Sequence, residues 1–298
     1  MRIIFYKYHG AGNDFIMIDN RQQQLPRYWP ELYSAWCHRR FGIGADGVIM
    51  IQQHPTCNFE MVYYNADGQE GSMCGNGGRC VAAFARQLGI VQEKMFFMAA
   101  DGPHSAIINM QTNEVSIQMS NVTRIERHGA DWVLNTGSPH YVQFVNHLPQ
   151  IDVFAEGRNI RNSAPFSKEG INVNFVEIQA DENDNSTPPM LNVATYERGV
   201  EDETYACGTG VVAACITAYC HKKHIEPSNF LTNTNNDNNS PPPNKHIAYQ
   251  VQTKGGRLSV TFNAQNDQKF SDIWLTGNAV CIFSGQIDIT AAPPLVFD

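Results

Sequence analysis

Residues 64–80 read YNADGQEGSMCGNGGRC, and residues 196–210 read YERGVEDETYACGTG. Each stretch begins on a tyrosine and ends on or just past a Cys-Gly-x-Gly step. The cysteines, Cys74 and Cys207, follow Tyr64 and Tyr196 by ten and eleven residues. Behind each lies a small, apolar run, CVAAFA at 80–85 and VVAACITA at 211–218. Such runs read as buried helices. The first spans Cys74 to about Leu88, where Gly89 stops it; the second spans Cys207 to about Lys223, before Pro227. The cysteines lie nearly half a chain apart, which predicts two similar halves, each opening a helix on a cysteine.

Runs of β-branched and aromatic residues bounded by Gly, Asn and Pro predict strands on either side of these helices. They fall at 2–8, 15–19, 48–52, 59–64, 95–99, 105–110, 114–119, 131–135, 140–145 and 172–179, and near the end at 247–253, 257–263, 271–276 and 279–288. Residues 30–40 predict a further helix. Two polar segments, 181–189 and 231–245, the latter containing TNTNNDNNSPPPN, cannot bury apolar area and are expected to be mobile surface loops.

Composition narrows the function. The 298 residues are 42% hydrophobic, enough for a core, and a length of this order predicts about two domains. Lys+Arg is 21 against Asp+Glu 29, a net charge of −8 with no basic block. Nucleic acid and anionic membrane surfaces are therefore poor partners. No apolar run reaches the length of a membrane span, and the first residues, MRIIFYK, read as a strand and not a signal peptide. The expected location is cytoplasmic. The eight cysteines include no CxxC pair, and reduced thiols are expected there. Cys215, Cys220, His221 and His224 fall on one predicted helix, where Cys220 and His224 are four apart. The plainer reading is a buried thiol with solvated histidines near a helix C-terminus, and no metal is expected.

A thiol at a helix N-terminus meets the positive end of the macrodipole and unpaired backbone N–H groups, which favour its thiolate. The adjacent glycines let an anion such as a carboxylate approach the backbone. Two such helix ends suit inversion at carbon. One thiolate removes a proton from one side, and the other thiol returns a proton to the opposite side.

At the level of these motifs the chain resembles the diaminopimelate epimerases. GAGNDF at 10–15 and the two cysteine stretches carry the resemblance. FGIGADG at 41–47, TGSPHYV at 136–142, GINVNFVEI at 170–178 and GNAVCIFSG at 277–285 extend it over nearly the whole chain, in order. The resemblance implies an α+β fold of two pseudo-symmetric halves, each a rolled, mostly antiparallel sheet around a central helix. It puts the active site in the cleft between them. The halves are expected at 1–118 plus 276–298 and at 119–275. It also implies a pyridoxal-independent, cofactor-free isomerase that interconverts LL- and meso-diaminopimelate for lysine and peptidoglycan-precursor synthesis, and a homodimer.

Carried over motif by motif, Cys74 and Cys207 are the two acid–base residues. Gly75, Asn76, Gly208 and Thr209 offer helix-start N–H groups to the carboxylate at the reacting centre. Asn13 and Glu197 orient the reacting amino end, and Asn65, Asn172 and Arg198 bind the distal amino-acid end. Arginine and asparagine are chemically suited to that task. Two positions depart from the family pattern. Gly47 stands where many members have Gln, and Ser138 precedes Pro139-His140 where many have Asn. His140 reads as a pocket-lining or structural residue, not the base.

Other readings remain at this point. A proline-racemase-like or phenazine-biosynthesis-like enzyme would share the two-half fold. A cysteine hydrolase would need one Cys paired with a His, and a non-catalytic binding protein would need neither thiol. Gly42–Gly47 matches GxGxxG, but it follows a helical run and precedes a strand. That context is the reverse of a dinucleotide site, so a nicotinamide enzyme is rejected.

Overall fold

Strands whose alternate side chains are apolar on both faces need a cover on each side, and the first unit of the chain meets that need with two helices. The computed structural model describes residues 1–179, 188–223, 245–266 and 269–289. The chain divides into two compact units, Met1–Ile117 with Thr276–Asp298, and Gln118–Leu275. Most of the expected loops 181–189 and 231–245, and His224, lie outside the described residues.

The first unit runs β1 (Arg2–Gly10), β2 (Asn13–Asp19), α1 (Pro30–Cys37), β3 (Gly47–Gln52), β4 (Phe59–Asn65), β5 (Glu70–Gly71), α2 (Gly75–Gln87), β6 (Lys94–Ala99), β7 (Gly102–Ile108) and β8 (Val115–Met119). Ile3, Phe5, Ile16, Ile18, Val48, Met50, Val62 and Tyr64 form one core with Leu32, Tyr33 and Trp36 of α1. The alternate residues face α2: Tyr6 and Tyr8 pack on Phe84, and Ile49 and Met61 lie at Gly77. The predicted helix 30–40 ends early, at Cys37. His38 turns extended, and its Nδ1 accepts hydrogen bonds from the N–H groups of Arg40 and Phe41.

The second unit runs β9 (Ile125–His128), β10 (Asp131–Asn135), β11 (Pro139–Phe144), α3 (Val153–Asn162), β12 (Asn172–Gln179), β13 (Met190–Glu197), β14 (Asp202–Thr204), α4 (Gly208–Lys222), β15 (Lys245–Thr253), β16 (Gly256–Asn266) and β17 (Lys269–Gly277). The chain then returns to the first unit as β18 (Val280–Asp288), antiparallel to β1. Strands β9, β13 and β14 and helix α3 were not expected from the sequence. Helix α3 buries only Val153 and Gly157, so its apolar spacing is faint. It is capped by Asp152, which accepts from Ala155 N–H at 2.9 Å.

The two units repeat one wiring. In the first, β1–β2 is antiparallel, β2–β3 parallel, β3–β4 antiparallel, β4–β6 parallel and β6–β7 antiparallel. In the second, β10–β11, β11–β12, β12–β13, β13–β15 and β15–β16 follow the same sequence of senses. Each first parallel crossover carries α1 or α3; each second carries α2 or α4. Both α2 and α4 are buried on nearly every face, α2 against β1, β2, β3 and β7, and α4 against β10 to β13 and β16. A central helix in a mostly antiparallel sheet is thus built twice.

Candidate active site

Both repeated cysteines are helix N-caps. Cys74 caps α2 in extended backbone (φ −107°, ψ 149°), and its Sγ accepts from Gly77 N–H at 3.3 Å. Cys207 caps α4 (φ −101°, ψ 111°). Cys74 is half-buried and Cys207 buried. Cys215, deeper in α4, is sealed completely, and burial pushes its thiol well up in pKa. The second glycine of the Cys-Gly-x-Gly step has a packing cause in both units. A Cβ at Gly210 would stand 2.3 Å from Asn174 Oδ1, and one at Gly77 would stand 3.1 Å from Ile49 Cδ1.

Around Cys74 the expected residues are joined by side-chain amides. Asn76 Nδ2 donates to Asn13 Oδ1 at 3.4 Å, and Asn13 Nδ2 donates to Asp46. Arg79 Nη2 donates to Asn76 Oδ1 at 2.7 Å. A guanidinium at one end and a carboxylate at the other thereby fix which way both amides point. Beneath them Lys7 and Arg39 pair with Asp14 at 2.6 and 2.8 Å. Against the upward push of burial, hydrogen bonds from Arg39 and Lys7 hold Asp14 down at about 2. Asn65 lies exposed at the end of β4, in register with Gly47. A Cβ at Gly47 would meet Tyr64 O at 2.4 Å and Tyr63 Cε2 at 2.5 Å. The tyrosine ring fills the space a longer side chain would need.

Around Cys207 the links are hydroxyls and an imidazole. Thr209 Oγ1 lies 3.4 Å from Cys207 Sγ, 2.9 Å from His140 Nε2 and 3.1 Å from Ser138 Oγ. Asn174 accepts from Thr195 and donates to Tyr141 O, so its Nδ2 also donates to His140 Nδ1 at 3.1 Å. That assigns the proton of a neutral imidazole to Nε2, facing Thr209 and Ser138. Burial first, then the Arg198 charge, pushes His140 down to about 3. His140 is therefore neutral and cannot serve as a titrating base near neutral pH. The Thr209 hydroxyl can donate to a Cys207 thiolate or accept from its thiol.

Asn172 is spent internally: Nδ2 donates to Ser138 Oγ and Pro139 O at 3.1 and 3.0 Å, and Oδ1 accepts Arg198 N–H at 2.9 Å. This anchors the backbone that carries Glu197 and Arg198, both half-buried. Arg198 Nη1 donates to Glu169 O at 3.2 Å, and no carboxylate pairs with it among the described residues. The ladders align the two units residue by residue. Gly47 stands in register with Phe15 as Asn172 stands with His140, and Val48 with Tyr64 as Val173 with Tyr196. Gly47 thus corresponds to Asn172, Asn65 to Glu197, and Asn13 to Ser138. Asn174, Asp46 and Arg79 were missed as site residues. Asn174 signals itself only by sharing a strand face with Asn172, and Arg79 only as a charge inside an apolar helix.

Among the described residues no group of three His, Cys, Asp or Glu is placed to hold a metal ion. Cys220 is buried, and the His221 ring packs tilted against Phe144, centroids 4.8 Å apart. The model for the diaminopimelate epimerase family matches residues 5–125 and 132–282.

The chain belongs to the diaminopimelate epimerase family.

A diaminopimelate epimerase of Flavobacterium psychrophilum is 45% identical over 282 residues, covering 95% of this chain and 99% of the relative. One of Chlorobaculum tepidum is 39% identical over 288 residues, covering 94% and 99%. Among solved structures, a PhzF-family phenazine biosynthesis protein of Bacillus anthracis shares the fold at TM-score 0.65 and 11% identity, covering 97% of this chain and 99% of that one. A hydroxyproline epimerase of Agrobacterium vitis, with bound trans-4-hydroxy-L-proline, does so at TM-score 0.58 and 11% identity, covering 96% and 92%. As a member of the diaminopimelate epimerase family the chain is an isomerase, and its α+β fold of two repeated halves is the one these neighbours share.

Proposed function

We propose that this chain interconverts LL- and meso-2,6-diaminopimelate by a two-base mechanism that uses Cys74 and Cys207 and no cofactor. The observation that carries the reading is the repeat itself. Two cysteines cap two buried helices at the same point of one wiring, in a chain whose relatives are named diaminopimelate epimerases. One thiolate takes the α-proton and becomes a thiol. The electron pair stays on the α-carbon and spreads into its carboxylate, which the N–H groups of Gly75, Asn76, Gly208 and Thr209 stabilise. The other thiol then gives its proton to the opposite side and becomes the thiolate. Asn13 and Glu197 orient the reacting amino end. Arg198, which no carboxylate pairs with among the described residues, takes the distal carboxylate, with Asn65 and Asn172 beside it. Here the role of Asn172 is to hold Arg198 and Ser138.

The product serves lysine and peptidoglycan-precursor synthesis, and the enzyme works in the cytoplasm. No helix among the described residues is long and apolar enough to cross a membrane. A homodimer forms through β18, whose Val280, Ile282 and Phe283 are exposed.

Turnover of LL-diaminopimelate in deuterated water, beside proline and 4-hydroxyproline and with nothing added, tests the reading. Deuterium should enter the α-carbon of diaminopimelate alone. Cys74→Ala and Cys207→Ala should each lower turnover by at least about 100-fold, the usual worth of a positioned acid or base. Proline racemisation, or full activity in either variant, would refute it.

A further inference from the structure

Two glycines flank one tyrosine near the exposed end of β4. Along that strand Phe59, Met61, Tyr63 and Asn65 share a face, and Met61 shows that it is the face toward α2. Exposure grows in that order: Phe59 and Met61 are sealed at 0% and 2%, Tyr63 is half-buried and Asn65 exposed. Met61 marks the level of the helix start. A Cβ on Gly77 would stand 3.2 Å from Cys74 Sγ and 3.4 Å from Met61 Cε. Tyr63 lies one step further toward the exposed end of the strand.

The Tyr63 ring leans outward along β4. Its own partner on β3 is Ile49, yet a Cβ on Gly47, the partner of Asn65, would stand 2.5 Å from Cε2 and 3.3 Å from Cζ. On the other flank a Cβ on Gly71, its partner on β5, would stand 2.9 Å from Cε1. Phe15 meets the ring edge-on, centroids 5.9 Å apart. The ring therefore needs a glycine on each side, and its hydroxyl end is carried toward the rung of Gly47 and Asn65. The same Cβ on Gly71 would stand 3.0 Å from Asn65 Nδ2, so the phenol and the Asn65 amide are neighbours.

The second unit fills the corresponding positions in the opposite way. By ladder register Tyr63 corresponds to Thr195, Gly47 to Asn172 and Gly71 to Thr204. The spacing agrees, since Gly71 precedes Cys74 by three residues and Thr204 precedes Cys207 by three. There a small middle residue leaves room for side chains on both flanks, and the Asn172 amide holds Ser138 and the Arg198 backbone. In the first unit both flanks are bare, and one large side chain from the middle strand takes up their space. A phenylalanine would fill that slot as well; the hydroxyl adds a polar group at its outer end.

We infer that Tyr63 is a specificity-determining residue whose hydroxyl donates to the distal carboxylate of the substrate, beside Asn65, and supplies the polar group that position 47 lacks. The inference rests on the proposed function, which puts the distal end of diaminopimelate at Asn65. None of Gly47, Tyr63, Asn65 and Gly71 offers a carboxylate to an ammonium, whereas a phenol is a good donor to an anion. Tyr63→Phe keeps the ring in its slot and deletes only that donor.

Binding of two analogues, measured by titration calorimetry, tests this without turnover. 2-Aminopimelate keeps the distal carboxylate and lacks the distal amine; L-lysine keeps the amine and lacks the carboxylate. Tyr63→Phe should weaken 2-aminopimelate about 10-fold or more, the worth of a hydrogen bond to a charged group, and leave L-lysine within about twofold. In steady state KM for diaminopimelate should rise by a similar factor with kcat little changed, the mark of a contact held equally in ground and transition states. An unmoved affinity for 2-aminopimelate would overturn the inference, and so would an equal loss for L-lysine. Weakened 2-aminopimelate binding in a chain that does not turn over diaminopimelate would refute the proposed function and leave the carboxylate contact standing.

Discussion

His140 is enclosed on every side, and three neighbours decide its state. Asn174 donates to Nδ1, the hydroxyls of Ser138 and Thr209 surround Nε2, and no water-facing surface remains. Its pKa falls from 6.5 to about 3. Between those values the unfolded chain binds a proton that the folded chain does not. Stability therefore falls as pH drops below about 6.5 and is flat above it. Asp14 acts in a separate window: its carboxylate contributes above 3.8 and is lost as pH falls toward 2. Urea unfolding should give a free energy lower at pH 5 than at pH 7.5, with about 2 kcal/mol of the difference due to His140. His140→Asn, which keeps an acceptor, should remove that share of the slope while lowering stability throughout. An unchanged slope would mean that His140 titrates normally. The sequence marked this histidine as pocket-lining or structural and not the base, without its partners. Its network joins β11, β12 and the first turn of α4, contacts made by a parallel pairing that no local pattern announces.

Helices α2 and α4 were readable because small residues run without a break behind a matched pair of cysteines. Helix α3 and strand β13 were not, and one contact explains both. A Cβ on Gly157 would lie 2.4 Å from Tyr196 Cβ. The backbone of helix α3 thus lies directly on the Tyr196 side chain of β13, and a glycine in the helix interior is the cost of that approach. The glycine weakens the helical signal, and β13 itself, MLNVATYE, interrupts its apolar positions with Asn and Thr. Gly157→Ala would normally favour a helix. Here the added methyl must push α3 away from Tyr196, so the change should destabilise the fold by about 1–3 kcal/mol, as overpacking does. Tyr196 is followed directly by Glu197 and Arg198, so KM for diaminopimelate should rise as well. Chemical denaturation and steady-state kinetics of this one variant check both outcomes. A stabilised variant would show that the α3–β13 contact is loose.

Most exposed apolar side chains on a protein are scattered, but those on β18 fall within four residues. Val280, Ile282 and Phe283 are 44%, 54% and 48% exposed, and Ile4 on the neighbouring β1 is 55% exposed. The ladder supplies the reason. Lys7 pairs with Phe283 and Tyr8 with Cys281, so Ile282 is an extra residue without a partner on β1. A bulge of this kind rotates the side chains that follow it and spoils strict alternation. Apolar residues held on rigid paired strands and left to solvent mark an association surface more often than a defect. A two-fold dimer needs only this one self-complementary patch. Ile282→Lys should therefore convert a species of twice the 33.3 kDa chain mass into one of the chain mass in sedimentation equilibrium. Because the bulged residue makes no ladder pair, a lysine there should leave the far-ultraviolet circular dichroism of the folded chain unchanged. That separates loss of a partner from loss of fold. A wild type that sediments as a monomer, or an Ile282→Lys protein that remains a dimer, would place the interface elsewhere or remove it.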